Sequence, residues 1–534
     1  MQRAESLIMP QSRSTLPWWQ GATIYQIYPR SFCDSNGDGI GDLPGITAKL
    51  DHVAGLGADA VWISPFFTSP MRDFGYDVAD YRSVDPIFGS NEDLDALIAR
   101  AHGLGLKVLI DLVFAHTSDE HPWFRESRSS RTNAKADWYV WADPKPDGSP
   151  PSNWQSVFGG PSWTWDARRE QYYHHNFLKE QPQLNGHHPA VQDALLEIVR
   201  YWLERGVDGF RFDAINFMMH DPALTDNPPV KDPAKRTRPF DLQHHLNNQS
   251  QPEIAQFLER VRTLLDDYGA FAVAEVGGEQ AFREMHDYTA DGRLHSAYGF
   301  DYLYADRLTP ALVAQSAAHW AASEVAGWPS WAFENHDAPR AVSRWVAPEH
   351  RAQFARMKVL LLAALRGTII LFQGEELGLT QVDVPFEQLQ DPEAIANWPQ
   401  TLSRDGVRTP MPWLASDEGH GFTRGKPWLP FGPDHAGLSV ETQIEDPASL
   451  LHFTKRTIAF RNSQPALRWG DLRIVTAEET LLVFDRSFEG QTIRCRFNLG
   501  DHPVRSPAEG RRISETGDVS ADTLGAYAAS IEVL

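Results

Sequence analysis

The strongest indication of the fold is a repeated alternation between short apolar runs and segments with helical periodicity. Eight runs have the composition of buried strands, and they cover residues 23–28, 60–64, 107–113, 207–213, 271–275, 298–302, 330–334 and 368–373. One of the segments between them carries apolar side chains at the i, i+3, i+4, i+7 spacing of a helix face, at Leu94, Leu97, Ile98 and Ala101. Alternating strands and helices favour a parallel sheet. Eight of them predict a closed (β/α)8 TIM barrel in preference to an open, doubly wound sheet.

Interruptions of this alternation predict additional structure. Residues 133–186 are rich in Trp, Tyr, Pro and Gly and lack helical period, so we predict a subdomain inserted after the third strand. After residue 461 the pattern changes to short alternating runs, which are typical of an antiparallel β domain. The predicted organisation is a barrel over 1–113 and 187–462, with an irregular insertion near 379–429, an inserted subdomain over 114–186 and a C-terminal β domain over 463–534.

Charge and cysteine content exclude several classes of protein. The 534 residues include 49 Lys and Arg against 71 Asp and Glu, which gives a formal net charge of −22. This acidity disfavours a nucleic-acid or anionic-membrane partner, because like charges repel. Two cysteines, Cys33 and Cys495, imply no disulfide framework. No apolar run is long enough for a membrane span, and residues 1–19 lack the apolar stretch of a secretion signal, so we expect a cytoplasmic enzyme.

Charged residues follow several of the predicted strands. In a (β/α)8 barrel the active site lies at the carboxyl ends of the strands. Three carboxylates are therefore expected to converge on one rim together with three basic side chains: Asp213, Glu275 and Asp337 with His116, Arg211 and His336. A single acid at a strand end is commonly a helix cap. Three acids from separate strands indicate a functional cluster, since crowded like charges destabilise a fold.

Paired carboxylates of this kind suit cleavage of a glycosidic bond, in which one attacks the anomeric carbon and the other carries a proton. Arg211 is two residues from Asp213 and should keep it ionised, so Asp213 is the predicted nucleophile. Glu275 lies in an apolar run without an adjacent cation, an environment that favours the protonated acid. A retaining enzyme would hold the two carboxyl groups about 5–5.5 Å apart.

The four strand-end segments resemble the four signature regions of the α-amylase superfamily, glycoside hydrolase family 13. The chain is most similar to its α-glucosidase and oligo-1,6-glucosidase branch, from about Trp18 to the C-terminus. The resemblance implies that Asp213 is the nucleophile, Glu275 the general acid/base and Asp337 the carboxylate that binds sugar hydroxyls. It also implies a glucose pocket formed by Asp73, Tyr76, His116, Phe158, Phe177, Arg211, His336 and Arg404, in which Arg404 closes the non-reducing end with Asp73.

The implied activity is that of an exo-acting retaining α-glucosidase that forms a covalent β-glucosyl-enzyme. Its expected partners are small oligosaccharides or α-glucosides, with alcohols as possible glucosyl acceptors, and its expected state is a monomer or homodimer. The loop over 218–249 is expected to shape the acceptor side. The alternatives are a sucrose-acting or isomerising glucosyltransferase of the same fold and a non-catalytic transporter partner. The latter class carries a membrane helix and often loses the catalytic acids.

Two positions depart from or refine the resemblance. Ala115 stands where the family usually has Asn, directly before His116. Ala214 follows the predicted nucleophile, and in this branch a small residue there goes with α-1,4 linkages whereas Val goes with α-1,6. The expected substrates are therefore maltose-like.

The segment 34–42 has the alternating oxygen donors of an EF-hand calcium loop. It lacks the twelfth-position Glu, where Gly45 stands, and a strand instead of a helix precedes it. The alternative interpretation is an Asp/Asn/Gly turn without an ion. By resemblance it is the family's first βα-loop site for structural Ca²⁺ or Mg²⁺, with ligands from Asp34, Asn36, Asp38, the Ile40 carbonyl and Asp42. No organic cofactor is expected.

Overall fold

The computed structural model describes residues 16–231, 238–320, 327–399, 403–416 and 418–534. Parts of three predicted segments lie outside the described residues: 1–15 of the N-terminal segment, 232–237 of the loop over 218–249, and 400–402 with 417 of the irregular insertion.

The strands follow the predicted apolar runs. In chain order they are β1 (Thr23–Ile27), β2 (Ala60–Ile63), β3 (Phe67–Thr68), β4 (Asp80–Val84), β5 (Lys107–Val113), β6 (Trp141–Ala142), β7 (Trp163–Asp166), β8 (Gln171–His174), β9 (Gly209–Asp213), β10 (Phe271–Val276), β11 (Ser296–Gly299), β12 (Trp328–Ala332), β13 (Thr368–Phe372), β14 (Asp471–Glu478), β15 (Leu481–Phe488), β16 (Gln491–Asn498), β17 (Val504–Arg505), β18 (Arg511–Thr516), β19 (Thr523–Leu524) and β20 (Ala529–Val533). Strands β1, β2, β5 and β9 to β13 close a parallel barrel in the order β1-β13-β12-β11-β10-β9-β5-β2.

Helices alternate with the barrel strands, and others lie in the inserted segment, in the irregular insertion and before the C-terminal sheet. They are α1 (Leu43–Leu56), α2 (Asn91–Gly103), α3 (Pro122–Ser129), α4 (Pro189–Glu204), α5 (Ile254–Tyr268), α6 (Ala281–Tyr288), α7 (Pro310–His319), α8 (Ala341–Arg344), α9 (Arg351–Ala364), α10 (Pro392–Asn397), α11 (Val440–Glu445), α12 (Leu450–Ser463) and α13 (Pro465–Trp469). A capping box between Ser90 and Asp93 begins α2 by satisfying backbone amides that have no partner inside the helix. The buried face of α2 is the one that the apolar spacing predicts.

Two barrel strands begin two residues earlier than their apolar runs. Strand β11 ends at Gly299, although Tyr302 and Leu303 beyond it are also buried. Strand β12 ends at Ala332, while Glu334 beyond it is buried in ion pairs with Arg340 and Lys358. The buried residues continue beyond the last hydrogen bonds between neighbouring strands, so apolar composition alone places the ends of these strands too late.

In the described residues four antiparallel sheets accompany the barrel, two of which are the two-stranded pairs β3-β4 and β17-β19. In the segment of chain that connects β5 to β9, strands β6, β8 and β7 form a three-stranded sheet in that order. The C-terminal sheet has the order β14-β15-β16-β20-β18. The predicted fold class is thereby confirmed, whereas the residue boundaries of the domains stay predictions. Both cysteines are buried free thiols. Among the described residues, no helix combines the length and apolarity needed to cross a lipid bilayer.

Candidate active site

A pocket of about 790 Å³ contains the predicted acids at its wall. The barrel architecture explains this, because the carboxyl ends of parallel strands meet at one rim. The structure brings nine of the predicted site residues to the pocket surface: Asp73, Tyr76, His116, Phe158, Phe177, Asp213, Glu275, Asp337 and Arg404. The other two, Arg211 and His336, have no exposed surface and contact the acids from behind the wall.

Arg211 on β9 is the centre of the charge network. Its Nη1 donates to Asp213 Oδ1 at 2.6 Å and to Asp111 Oδ1 at 2.8 Å, and its Nη2 is paired with Glu275. The Tyr298 hydroxyl accepts from the guanidinium at 3.1 Å and donates to Glu275 Oε1 at 2.9 Å. One cation therefore compensates several buried carboxylates. A carboxylate that is ionised and buried without such a partner would be strongly destabilising.

The pairing of Arg211 with Glu275 corrects one part of the sequence interpretation. Glu275 has no cation next to it along its strand, but β9 and β10 are neighbours in the barrel, and Arg211 reaches across. Burial nevertheless outweighs this cation. It raises the pKa of Glu275 to about 7, with Asp213 and Asp337 adding repulsion. Burial likewise raises the pKa of Asp213 to about 7 against the attraction of Arg211.

Ala214 has an unusual backbone conformation between the two acids. Its φ of 39° lies in the left-handed region, which a residue with a Cβ adopts at a cost of about 1–3 kcal/mol. The turn directs the Ala214 N–H at Glu275 Oε2, to which it donates at 3.1 Å. The residue after Asp213 thus helps to orient Glu275.

Asp337 is surrounded by donors. Arg408 Nη2 lies 2.6 Å and Arg404 Nη1 3.4 Å from its Oδ1, and His336 Nε2 lies 3.2 Å from its Oδ2. Burial by itself would raise the pKa of Asp337, but its contact with the His336 N–H and the charges of the two arginines hold it below its usual value. Asp337 therefore ionises more readily than Asp213 and Glu275.

His336 is held in one tautomer. The Gln26 amide donates to Nδ1 at 2.8 Å, which leaves the ring proton on Nε2, where it faces Asp337. Burial lowers the pKa of His336 to about 3, so the ring stays neutral. Tyr76 stacks on it with ring centroids 5.5 Å apart and also hydrogen-bonds Nε2 through its hydroxyl.

Arg404 joins both ends of the pocket wall. Its Nη2 lies 3.2 Å from Asp73 and 2.8 Å from Asp391, and its Nη1 reaches Asp337. Its guanidinium carbon lies 5.0 Å from the centroid of the Phe158 ring. These contacts place Arg404 between the predicted pocket carboxylate Asp73 and the acid cluster.

The remaining predicted residues form the wall near Asp73. His116 Nε2 lies 3.1 Å from the Tyr76 carbonyl and from Gln181 Nε2, which also donates to Asp73 at 3.1 Å. Burial lowers the pKa of His116 to about 4. Phe177 packs against the His116 ring with centroids 5.2 Å apart. The same aromatic wall continues to Phe158.

Ala115 has an apolar environment. It is fully buried in a cluster with Ala214 and Phe217, against which Val157 and Phe177 pack. A methyl group suits this cluster, whereas an unpaired amide there would carry a desolvation cost. This packing accounts for Ala115 at a position where the family usually has Asn.

Sequence reasoning missed five residues that position the predicted ones: Asp111, Gln181, Tyr298, Asp391 and Arg408. Asp111 and Tyr298 lie within predicted strands, and their register with Arg211 and Glu275 on the neighbouring strands was the available signal. Gln181, Asp391 and Arg408 belong to loops whose path no periodicity reveals.

The predicted metal loop is built from successive turns. Asp34 Oδ1 accepts from the amides of Asn36 and Gly37, and Asn36 and Asp38 each accept from the amide two residues on. The Asp42 carboxylate caps α1 by accepting from the Gly45 amide at 2.6 Å. The oxygen donors are of the type that Ca²⁺ and Mg²⁺ prefer, so their chemistry fits such an ion. No group of three or more His, Cys, Asp or Glu side chains in the described parts of the chain is arranged to hold a metal.

Comparison with known proteins agrees with this geometry. Residues 26–470 match the family described as Alpha amylase, catalytic domain. A probable alpha-glucosidase of Rhizobium meliloti (strain 1021) is 53% identical over 507 residues, which cover 93% of this chain and 92% of that relative.

Solved structures show the same similarity. An alpha-glucosyl transfer enzyme superposes with a TM-score of 0.93 at 50% identity, covering 97% of this chain and 100% of that one. The trehalulose synthase of Pseudomonas mesoacidophila MX-45 superposes with a TM-score of 0.89 at 32% identity, covering 97% and 99%. The family resemblance of the strand-end segments is thereby confirmed, and the chain belongs to the α-amylase family of glycoside hydrolases.

Proposed function

We propose that this glycoside hydrolase is an exo-acting, retaining α-glucosidase that removes terminal α-linked glucose through a covalent β-glucosyl-enzyme. The observation that carries the proposal is that one guanidinium, Arg211, pairs with both Asp213 and Glu275 at the pocket wall. Two carboxyl groups within reach of one side chain suit the separation of about 5–5.5 Å in retaining enzymes better than the 6.5–9.5 Å of inverting ones.

The reaction divides between the two acids. Asp213 attacks the anomeric carbon as the glycosidic bond breaks, and Glu275 gives its proton to the leaving oxygen. Glu275 is suited to this because burial keeps its pKa near 7. In the second step Glu275 takes a proton from water, whose oxygen replaces Asp213 at the anomeric carbon. An alcohol in place of water gives glucosyl transfer, the activity named for one structural relative.

The contacts around Arg404 support the proposed exo-action. Arg404 links Asp73 to Asp337 and packs over Phe158, which suits a pocket that is closed at this residue. A closed end accommodates one terminal glucose, whose hydroxyls are matched by carboxylates and a guanidinium. A longer chain would extend only toward the open side.

The α-1,4 preference is proposed from Ala214. A β-branched side chain is strained at a φ of 39° and would project beside Glu275, where the linkage oxygen lies in the reaction. Alanine leaves this space open for maltose-like substrates. The second candidate is an isomerising, sucrose-acting glucosyltransferase, which the trehalulose synthase similarity favours.

Product analysis on maltose, isomaltose and sucrose tests these proposals together. We expect α-glucose as the first product by NMR, and a higher kcat/KM on maltose than on isomaltose. Initial β-glucose would exclude a retaining mechanism. Conversion of sucrose to an isomer as the main reaction would instead support the second candidate.

We also propose that the loop over 34–42 holds a structural Ca²⁺ or Mg²⁺ ion. The ligands would be Asp34, Asn36, Asp38, the Ile40 carbonyl and Asp42. The support is their oxygen-donor chemistry and spacing, because in the structure the three carboxylates accept from backbone amides. An ion there would tie the loop to Thr423 of the irregular insertion, because the Thr423 hydroxyl donates to Asp34. It would take no part in the chemistry.

Metal removal should therefore destabilise the protein without altering the reaction. We expect treatment with a chelator to lower Tm and added Ca²⁺ or Mg²⁺ to restore it, since an ion that binds only the folded state stabilises that state. Differential scanning calorimetry measures the shift, and Asp38→Ala should abolish the response. A Tm that is unaffected by chelator and by added ion in the wild type would contradict the site.

A further inference from the structure

A polar branch of the pocket lies beside the proposed nucleophile and acid/base. We define the polar branch as the pocket-lining residues Asn216, Gln249, Ser250, Gly277 and Glu284. Asn216 follows the proposed nucleophile by three positions, and Gly277 follows the acid/base by two. The mechanism described above assigns none of these side chains a role.

The members of the polar branch contact one another. Asn216 Nδ2 donates to the Gly277 carbonyl at 2.7 Å, and the Ser250 amide donates to the Asn216 carbonyl at 2.7 Å. Gly278 has a φ of 106°, and a Cβ at this position would lie 2.9 Å from Gln249 Nε2. Gln249 therefore lies against the backbone that continues from Glu275.

Three side chains of the polar branch present oxygens that have no hydrogen-bond donor within the described part of the structure: Asn216 Oδ1, Gln249 Oε1 and Glu284 Oε2. The side chains are deeply buried, with exposures of 0%, 4% and 7%. Buried polar atoms are normally satisfied, and a water molecule supplies two donors to a site with several acceptor oxygens. Burial also raises the pKa of Glu284.

We propose that the polar branch holds the water that hydrolyses the glucosyl-enzyme and so sets the ratio of hydrolysis to glucosyl transfer. The proposal rests on the proposed function. Water bound there gives one proton to Glu275 while its oxygen bonds to the anomeric carbon and the ester bond to Asp213 breaks. An alcohol places its oxygen at the same position, on the face of the anomeric carbon opposite Asp213, but enters from the open side of the pocket, so the two glucosyl acceptors arrive by different routes. Asn216, Gln249 and Glu284 are positioning residues, because they act through the water.

Gln249→Met removes one oxygen at nearly constant side-chain length. With an aryl α-glucoside and a fixed concentration of glycerol, we expect the ratio of transfer product to free glucose to rise about tenfold, the effect of losing one hydrogen bond to the water. Without glycerol the variant should release a burst of nitrophenol equal to the enzyme concentration and then turn over slowly. The burst shows that glucosyl-enzyme formation is intact and that its hydrolysis is slowed.

Two further variants complete the test. Glu284→Gln keeps the shape of the side chain and should shift the ratio in the same direction, which preserves the test if Gln249→Met does not fold. Gln256→Met makes the same chemical change on the exposed face of α5 and should leave the ratio unchanged.

The outcomes separate this inference from the function on which it rests. A wild type that releases no nitrophenol and forms no glucosyl-enzyme would overturn the proposed function. If the wild type is active and both pocket variants leave the ratio of transfer to hydrolysis unchanged, only the proposed role of the polar branch is overturned. A ratio that falls, with a higher KM for glycerol, would also overturn it, because the branch would then bind the alcohol.

Discussion

Asp213→Asn is expected to lower kcat for an aryl α-glucoside by on the order of 10⁴-fold while leaving the fold intact. The reason is that the amide has the shape of the carboxylate but cannot form the glucosyl ester. Arg211 keeps its other two acidic partners, since Asp111 and Glu275 still compensate its charge. Nitrophenol release measures the rate, and mass spectrometry of enzyme quenched during turnover detects the ester in the wild type only.

The same variant has an expected effect on stability with a defined pH dependence. The folded-state pKa of Asp213 is raised to about 7, so its ionisation costs folding free energy, and this cost grows as pH rises from about 4 through 7. Asp213→Asn has no charge to bury. Its Tm should therefore exceed the wild-type Tm at pH 8, and the difference should shrink toward pH 4.

The control is Asp291→Asn, the same change at an exposed position, which should leave both rate and Tm unchanged. Near-wild-type turnover of Asp213→Asn would reject the assignment of the nucleophile. A large loss of Tm in that variant would show that its activity loss reports unfolding instead of chemistry.

Glu275→Gln is expected to lower kcat/KM on maltose by about 10²–10⁴-fold, the usual contribution of general acid catalysis. The loss should be much smaller for the first step with a dinitrophenyl α-glucoside, because a good leaving group departs without a proton. In the wild type, kcat/KM should fall as pH rises above about 7, since Glu275 then loses the proton that it must donate. The variant should lack this alkaline decline.

Stopped-flow rates with the two substrates provide the comparison, and Glu253→Gln on the surface is the matched control. Azide offers a further check with Glu275→Ala, because it attacks the glucosyl-enzyme without a base and should give an α-glucosyl azide. Equal losses on maltose and on the dinitrophenyl substrate would remove Glu275 from the role of acid.

Several elements of the site were predictable from local pattern. The apolar runs identified the barrel strands, and position at the carboxyl ends of β9 and β10 was sufficient to bring Asp213 and Glu275 to one pocket. The electrostatic environment of these two acids was harder to predict. The sequence interpretation kept Asp213 ionised by its near neighbour and left Glu275 without a cation, yet both carboxyl groups contact Arg211 and both have a pKa raised by burial.

The loops were the least predictable part. Arg408 and Asp391 hold Asp337 and Arg404 in place, and they lie 71 and 13 residues from those partners in the irregular part of the chain that follows the last barrel strand. Side-chain contacts between such loops depend on how each loop folds back over the barrel rim. The amino-acid composition of a loop does not predict that path.

The sequence by itself determined which strands form the barrel and which acids reach its rim, because the 2.0 and 3.6 residue periods and the position of an acid after a strand are local properties. Only the tertiary structure decided how those acids are charged. In the closed barrel β9 lies between β5 and β10, and Arg211 is in register with Asp111. One guanidinium therefore reaches carboxylates on three strands, and the balance between its attraction and their burial depends on distances that exist only after folding.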